Sequence, residues 1–83
     1  MEHYLILARS ITYAQRMQSV LTRAGIRCQV FRAPRELTNL GCAYTVRISA
    51  ADFTPATIIL RRESLNPVQI FFFQNGGYRE VIL

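Results

Sequence analysis

Tyr4-Leu5-Ile6-Leu7-Ala8 is an apolar run with no polar alternation. That pattern suits a strand buried on both faces, hence a central strand of its sheet. Directly after it, Ser10 or Thr12 offers a helix N-cap. Ala14, Met17, Leu21 and Ala24 then recur at helical spacing, with Gln15, Arg16, Gln18 and Arg23 on the other faces. Gly25 stands where a left-handed C-cap belongs. Ile26 to Phe31, rich in β-branched and aromatic residues, predicts a second strand. Pro34 to Ala43 is a loop, and Tyr44 to Ile48 alternates as a third strand.

Thr54-Pro55 resembles an N-cap followed by proline in the first helical position, although Ser49 could cap a helix that begins earlier. Ala56, Ile59 and Leu60 continue this second helix, and Asn66-Pro67 is expected to end it. Val68 to Phe73 is a fourth strand. Asn75-Gly76-Gly77 is a tight-turn signal, so Tyr78 to Ile82 is expected to return as a fifth, edge strand.

The order β-α-β-β-α-β predicts an α+β fold of ferredoxin-like topology with a C-terminal β-hairpin extension. One domain spanning 1–83 accounts for the whole length. Strands one and three then lie side by side, antiparallel, with strand one ending on the edge where strand three begins. The loop before Tyr44 therefore falls beside the start of the first helix. Val68, Ile70 and Phe72 should point to one face of the sheet, and Phe71 and Phe73 to the other. Helices cover one face only, so homodimerisation through the open face or the edge strand is the expected partnership.

The chain is 51% hydrophobic, which suffices for a core and argues against disorder. Its formal charge of +5 comes from ten arginines, no lysine and five acids. Arginine suits two-pronged contact with carboxylate, phosphate or sulfate. The arginines are spread from Arg9 to Arg79, however, so a genome-wide bias towards arginine codons is the better account of them. There is no run of like charge to mark a nucleic-acid tail, and no apolar stretch of the ~20 residues that span a bilayer. Glu2 and His3 follow Met1 without a basic leader region, and a cytoplasmic location is the expectation. In a reducing compartment Cys28 and Cys42 are not expected to pair. With His3 they lack zinc-ligand spacing, and neither a metal nor another cofactor is expected.

The loop Pro34-Arg35-Glu36-Leu37-Thr38-Asn39-Leu40-Gly41-Cys42-Ala43 carries the strongest chemical candidate. If the topology holds, Cys42 falls near Ser10, Ile11 and Thr12, where unpaired amides and the helix dipole favour an anion. A thiol so placed has a lowered pKa, and its thiolate is the nucleophile. Arg9 and Arg35 would add positive charge, and Gly41 would let the backbone turn tightly before the sulfur. The alternative for Cys42 is that of most lone cysteines, an inert small hydrophobe. Core packing is the default for Cys28, inside strand two.

Ser10 with Ala14, Gly25-Ile26, and above all Pro34-Arg35…Thr38…Gly41-Cys42 resemble a family of small bacterial selenium/sulfur carrier-like proteins of uncharacterised function. The resemblance runs from about Tyr4 to Phe73. Family members commonly carry glycine after the cysteine, where this chain has Ala43, and their loop is commonly shorter. The resemblance implies transfer of sulfur or selenium through a persulfide or selenosulfide on Cys42. Such a protein is a carrier and not a turnover enzyme. Its donor and acceptor would be other proteins or a reduced chalcogen species.

Three other readings belong beside this one, the first a non-catalytic homo-oligomeric interaction or regulatory module that uses the open sheet face. RNA-recognition domains share the topology and stack bases on aromatics of strands one and three. Here strand one offers only Tyr4, and Gly41 to Ile48 lacks two of the expected aromatics, so nucleic acid is not the expected partner. Acid–base catalysis has no support either. Asp52, Glu36 and Glu63 fall on a helix start, a loop and a helix surface, His3 falls at a fraying terminus, and Ser10 has no histidine partner.

Overall fold

The computed structural model describes residues 2–37 and 44–82, with Glu36 described by its backbone alone. Five strands form one antiparallel sheet: β1 (His3–Ala8), β2 (Cys28–Arg32), β3 (Tyr44–Ser49), β4 (Gln69–Gln74) and β5 (Gly77–Glu80), ordered β2-β3-β1-β4-β5. Two helices, α1 (Ile11–Arg23) and α2 (Phe53–Arg62), follow β1 and β3. No helix among the described residues is long and apolar enough to cross a membrane.

The apolar run of β1 is central, with β3 on one side and β4 on the other. Leu5, Ile6, Leu7 and Ala8 are all buried. Ile6 and Ala8 face the helices and share one core with Ala14, Met17 and Leu21 of α1, and with Ala56 and Leu60 of α2. Val46, Ile48 and Ile70 complete that layer from β3 and β4. Leu5 and Leu7 lie outside this cluster although each is at most 1% exposed. Strand alternation turns them to the opposite face, together with Thr45. Burying a leucine stabilises by about 1.5–3 kcal/mol, so β1 contributes on both of its sides.

Both helices end in the same way. After α1, the Ile26 amide donates to the Leu21 carbonyl at 2.9 Å and the Gly25 amide to the Thr22 carbonyl at 3.0 Å. Gly25 holds φ at +85° between them. This is a Schellman motif, and buried Leu21 and Ile26 supply its apolar contact. After α2, the Leu65 amide donates to the Leu60 carbonyl at 2.8 Å and the Ser64 amide to the Arg61 carbonyl at 3.1 Å. There the left-handed position is taken by Ser64, with φ at +58°. Helix α2 thus stops at Arg62, well before the Asn66-Pro67 pair expected to end it. Because Gly25 and Ile26 belong to the first motif, β2 begins at Cys28 and not at Ile26.

The start of α2 also differs from the Thr54 expectation. Ser49 Oγ accepts the Ala51 amide at 3.4 Å and opens a 3₁₀ turn over Ala50–Asp52 that runs directly into the helix. Phe53 anchors that entry, its ring stacked on Tyr4 at 4.0 Å. Pro55 falls within the first turn, where its missing amide has no intrahelical acceptor to lose.

At the far edge, Asn75 and Gly76 both have positive φ, 54° and 78°, as a two-residue hairpin turn requires. The returning strand is shorter than Tyr78 to Ile82, since pairing ends at Glu80; the Val81 amide still reaches the Ile70 carbonyl at 2.8 Å. His3 does not fray. It pairs with Ser49 and Phe73, and its ring stacks on Phe73 at 4.8 Å.

Candidate functional site

The sheet has two edges along the strand direction. At the first, Ala8 pairs with Tyr44, and Tyr44 with Arg32. The end of β1, the start of β3 and the end of β2 therefore lie side by side. Strand one does end where strand three begins. Helix α1 starts at this edge, three residues beyond Ala8.

Ser10 is the N-cap, with extended backbone (φ −155°, ψ 166°) and its Oγ accepting the Tyr13 amide at 3.1 Å. Accepting leaves the hydroxyl its own proton to donate. The amides of Ile11 and Thr12 have no intrahelical acceptor by the geometry of a helix start, and no acid lies in the first turn. Thr12 is exposed beside them. The Arg9 guanidinium lies 4.7 Å over the Tyr13 ring, which holds its charge at the helix mouth. Arg35 is exposed in a 3₁₀ turn, Arg35–Leu37, three residues past the end of β2.

Arg9, Ser10 and Thr12 are thus together, with Arg35 on the segment leaving the same edge. Gly41 and Cys42, like Thr38 and Ala43, lie outside the described residues. Two residues at this edge were not singled out from the sequence. Arg32 sits with its guanidinium 6.0 Å over Tyr44, and only the sheet register brings them beside Ala8. Tyr13 accepts the Asn66 amide at 2.9 Å and donates to the Ser64 carbonyl at 3.3 Å, tying the start of α1 to the segment after α2. Its position three residues after a capping serine was the one available signal.

Cys28 occupies the opposite edge, where it opens β2 against Ile48. Its Sγ lies 3.9 Å from the Gln18 carbonyl oxygen and 3.9 Å from Thr22 Oγ1. Burial pushes this thiol above its ordinary pKa, and the Thr22 hydrogen bond opposes that only in part. A thiol held protonated is a poor nucleophile. Beside it an open groove of about 1240 Å³ runs past Arg27, Arg47, His3, Glu2 and Asp52. Its charges are mixed, with no aligned donor set.

The arrangement defines a small α+β protein with a guanidinium-rich helix mouth at one sheet edge and a packed thiol at the other. The chain belongs to the family described as "Putative Se/S carrier protein-like", whose model matches residues 3–71. No curated protein and no solved structure matches the chain.

Proposed function

We propose that this protein carries sulfur or selenium on Cys42 as a persulfide or selenosulfide. We also infer that its β4-β1-β3-β2 order, with the β5 hairpin added, is a ferredoxin-like topology. The observation that carries the functional reading is the pairing of Ala8 with Tyr44. Tyr44 is two residues after Cys42, and Ala8 is two residues before Ser10. Cys42 is thereby two residues in sequence from the edge that holds the open amides of α1, the Ser10 and Thr12 hydroxyls, and Arg9. Arg35, at the other end of the same loop, supplies a second cation. All of these favour the anionic forms of thiol and persulfide.

In the loading step the Cys42 thiol releases its proton to solvent. The thiolate attacks the terminal sulfur of a donor persulfide. A bond forms between Cys42 Sγ and that sulfur, the donor S–S bond breaks, and the donor leaves as a thiolate. The sulfane sulfur keeps its oxidation state, so no oxidant enters. A terminal selenium on the donor would follow the same course, and delivery to an acceptor thiolate is the reverse.

Family membership supports the cargo, and the packed, protonated setting of Cys28 supports the choice of the other cysteine. Cyanide, which removes sulfane sulfur as thiocyanate, gives the test. After exposure to inorganic polysulfide and desalting, the wild type and Cys28→Ser should release equimolar thiocyanate, and Cys42→Ser none. Equal release from Cys42→Ser would refute the assignment.

A second reading, an interaction module that self-associates, draws on one observation. Both helices pack against a single face, and Phe31, Phe71 and Phe73 remain half-buried on the other. Sedimentation equilibrium of the wild type and Phe71→Ser separates the readings: a dimer lost in the variant favours this one.

A further inference from the structure

We propose that the edge carrying the helix mouth is the docking surface for a chalcogen donor protein that presents acidic groups around an apolar centre; this deepens, and rests on, the carrier reading above. Arg9 follows the end of β1, Arg32 ends β2, and Arg35 lies just beyond it. Arg61 and Arg62 end α2, which Tyr13 ties to the same edge through Ser64 and Asn66. Five arginines thus lie towards this end of the molecule. Against them stand Glu63, and Glu36 next to Arg35 in the sequence. Glu80 is a third acid at this end, where it accepts a hydrogen bond from Gln69 beside Val68, and Glu2 and Asp52 line the groove at the opposite edge.

Charge alone would suit any polyanion, and the neighbouring side chains narrow the class. Ile11, the first residue of α1, is 39% exposed, and Val68 is 51% exposed. Val68 belongs to this edge because its amide donates to the Leu7 carbonyl at 2.8 Å. Exposed aliphatic side chains within a cationic rim fit the apolar centre and polar border of a protein interface. Neither tyrosine here stands on the open sheet face where an RNA-recognition domain stacks bases, since Tyr13 is on α1 and Tyr44 packs against the core beneath the helices. A free inorganic chalcogen anion would have no use for Ile11 or Val68.

The experiment uses the full chain and synthetic peptides that each carry one cysteine persulfide flanked by leucines. In one peptide glutamates surround the leucines, in a second glutamines replace them, and in a third serines replace the leucines of the acidic peptide. The initial rate of sulfur transfer to Cys42 is followed by mass spectrometry. At low salt the acidic peptide should load Cys42 on the order of tenfold faster than the glutamine peptide. That ratio should shrink towards one at about 1 M salt, and should also fall in Arg61→Gln/Arg62→Gln. The serine peptide should be slower than its leucine parent.

Equal rates from the acidic and glutamine peptides would overturn the docking surface while leaving the carrier reading intact. Failure of every peptide to load Cys42 would instead remove the carrier reading. A serine peptide as fast as its parent would overturn the apolar centre. An oligouridylate that binds more tightly than the acidic peptide, and loses that binding in the same double variant, would replace the protein partner with RNA.

Discussion

Tyr13 Oη lies 2.9 Å from the amide nitrogen of Asn66 and bridges the first turn of α1 to the turn after α2. The two residues are 53 positions apart in sequence, and no other hydrogen bond described between these segments is as short. Removing the hydroxyl leaves the ring, and with it the Arg9 contact, in place. Tyr13→Phe should therefore cost about 0.5–1.5 kcal/mol, read by urea denaturation at unchanged slope. A variant as stable as wild type would mean that water replaces the bridge without loss.

The paired helix ends make opposite predictions at equivalent positions. Ser64 holds φ at +58°, a region that disfavours a residue with a Cβ. Ser64→Gly should raise stability by about 0.5–1 kcal/mol, since glycine adopts this region without strain. Gly25→Ala should lower it by about 1 kcal/mol. No atom lies within 4 Å of where the Gly25 Cβ would stand, so that cost is conformational and not a clash. Thermal unfolding of the two variants checks both signs.

Leu5 tests whether the helix-free face contributes as a core does. It is 0% exposed yet lies outside the cluster beneath the helices. Leu5→Ala should cost about 2–5 kcal/mol. Ile58→Ala, on the exposed side of α2, should change stability by less than about 0.5 kcal/mol. A small effect at Leu5 would show that its burial contributes little.

Cys28 should react slowly and make the fold sensitive to alkali. Burial raises its pKa in the folded chain, so the neutral thiol is the form that the fold favours. That contribution is fully present below the unfolded thiol pKa and is lost as pH rises through the higher folded value. Stability of the wild type should fall more steeply above the ordinary thiol range than that of Cys28→Ala. Alkylation of Cys28 at neutral pH should be slower than that of free cysteine. Alkylation at the rate of free cysteine would contradict the packed environment.

The parts of this fold legible in the sequence were those whose residue types admit one conformation. Tyr4 to Ala8 lacks any polar residue to face water, so its central place followed. Gly25 and Asn75-Gly76 sit at positive φ, which their chemistry announces. Ser64 does the same work as Gly25 without announcing it, so the sequence pattern points to Asn66-Pro67 as the end of α2. Ser49 and Thr54 are equally good caps by type. What selected Ser49 is the packing of Phe53 on Tyr4, a contact across 49 positions of sequence. The helix mouth was legible in Arg9, Ser10 and Thr12 because they are neighbours in the chain. Arg32 and Tyr44 join it only through strand register, and Val68 only through its bond to Leu7. None of these leaves a local pattern.

The most direct test locates the cargo atom. The reduced protein is exposed to a low-molecular-weight persulfide, blocked with an alkylating agent, and digested for peptide-resolved mass spectrometry. The account predicts an added sulfur atom on the peptide containing Cys42, removable by dithiothreitol, and a simple alkylated thiol on the peptide containing Cys28. An added sulfur confined to Cys28, or present on neither peptide, would contradict it.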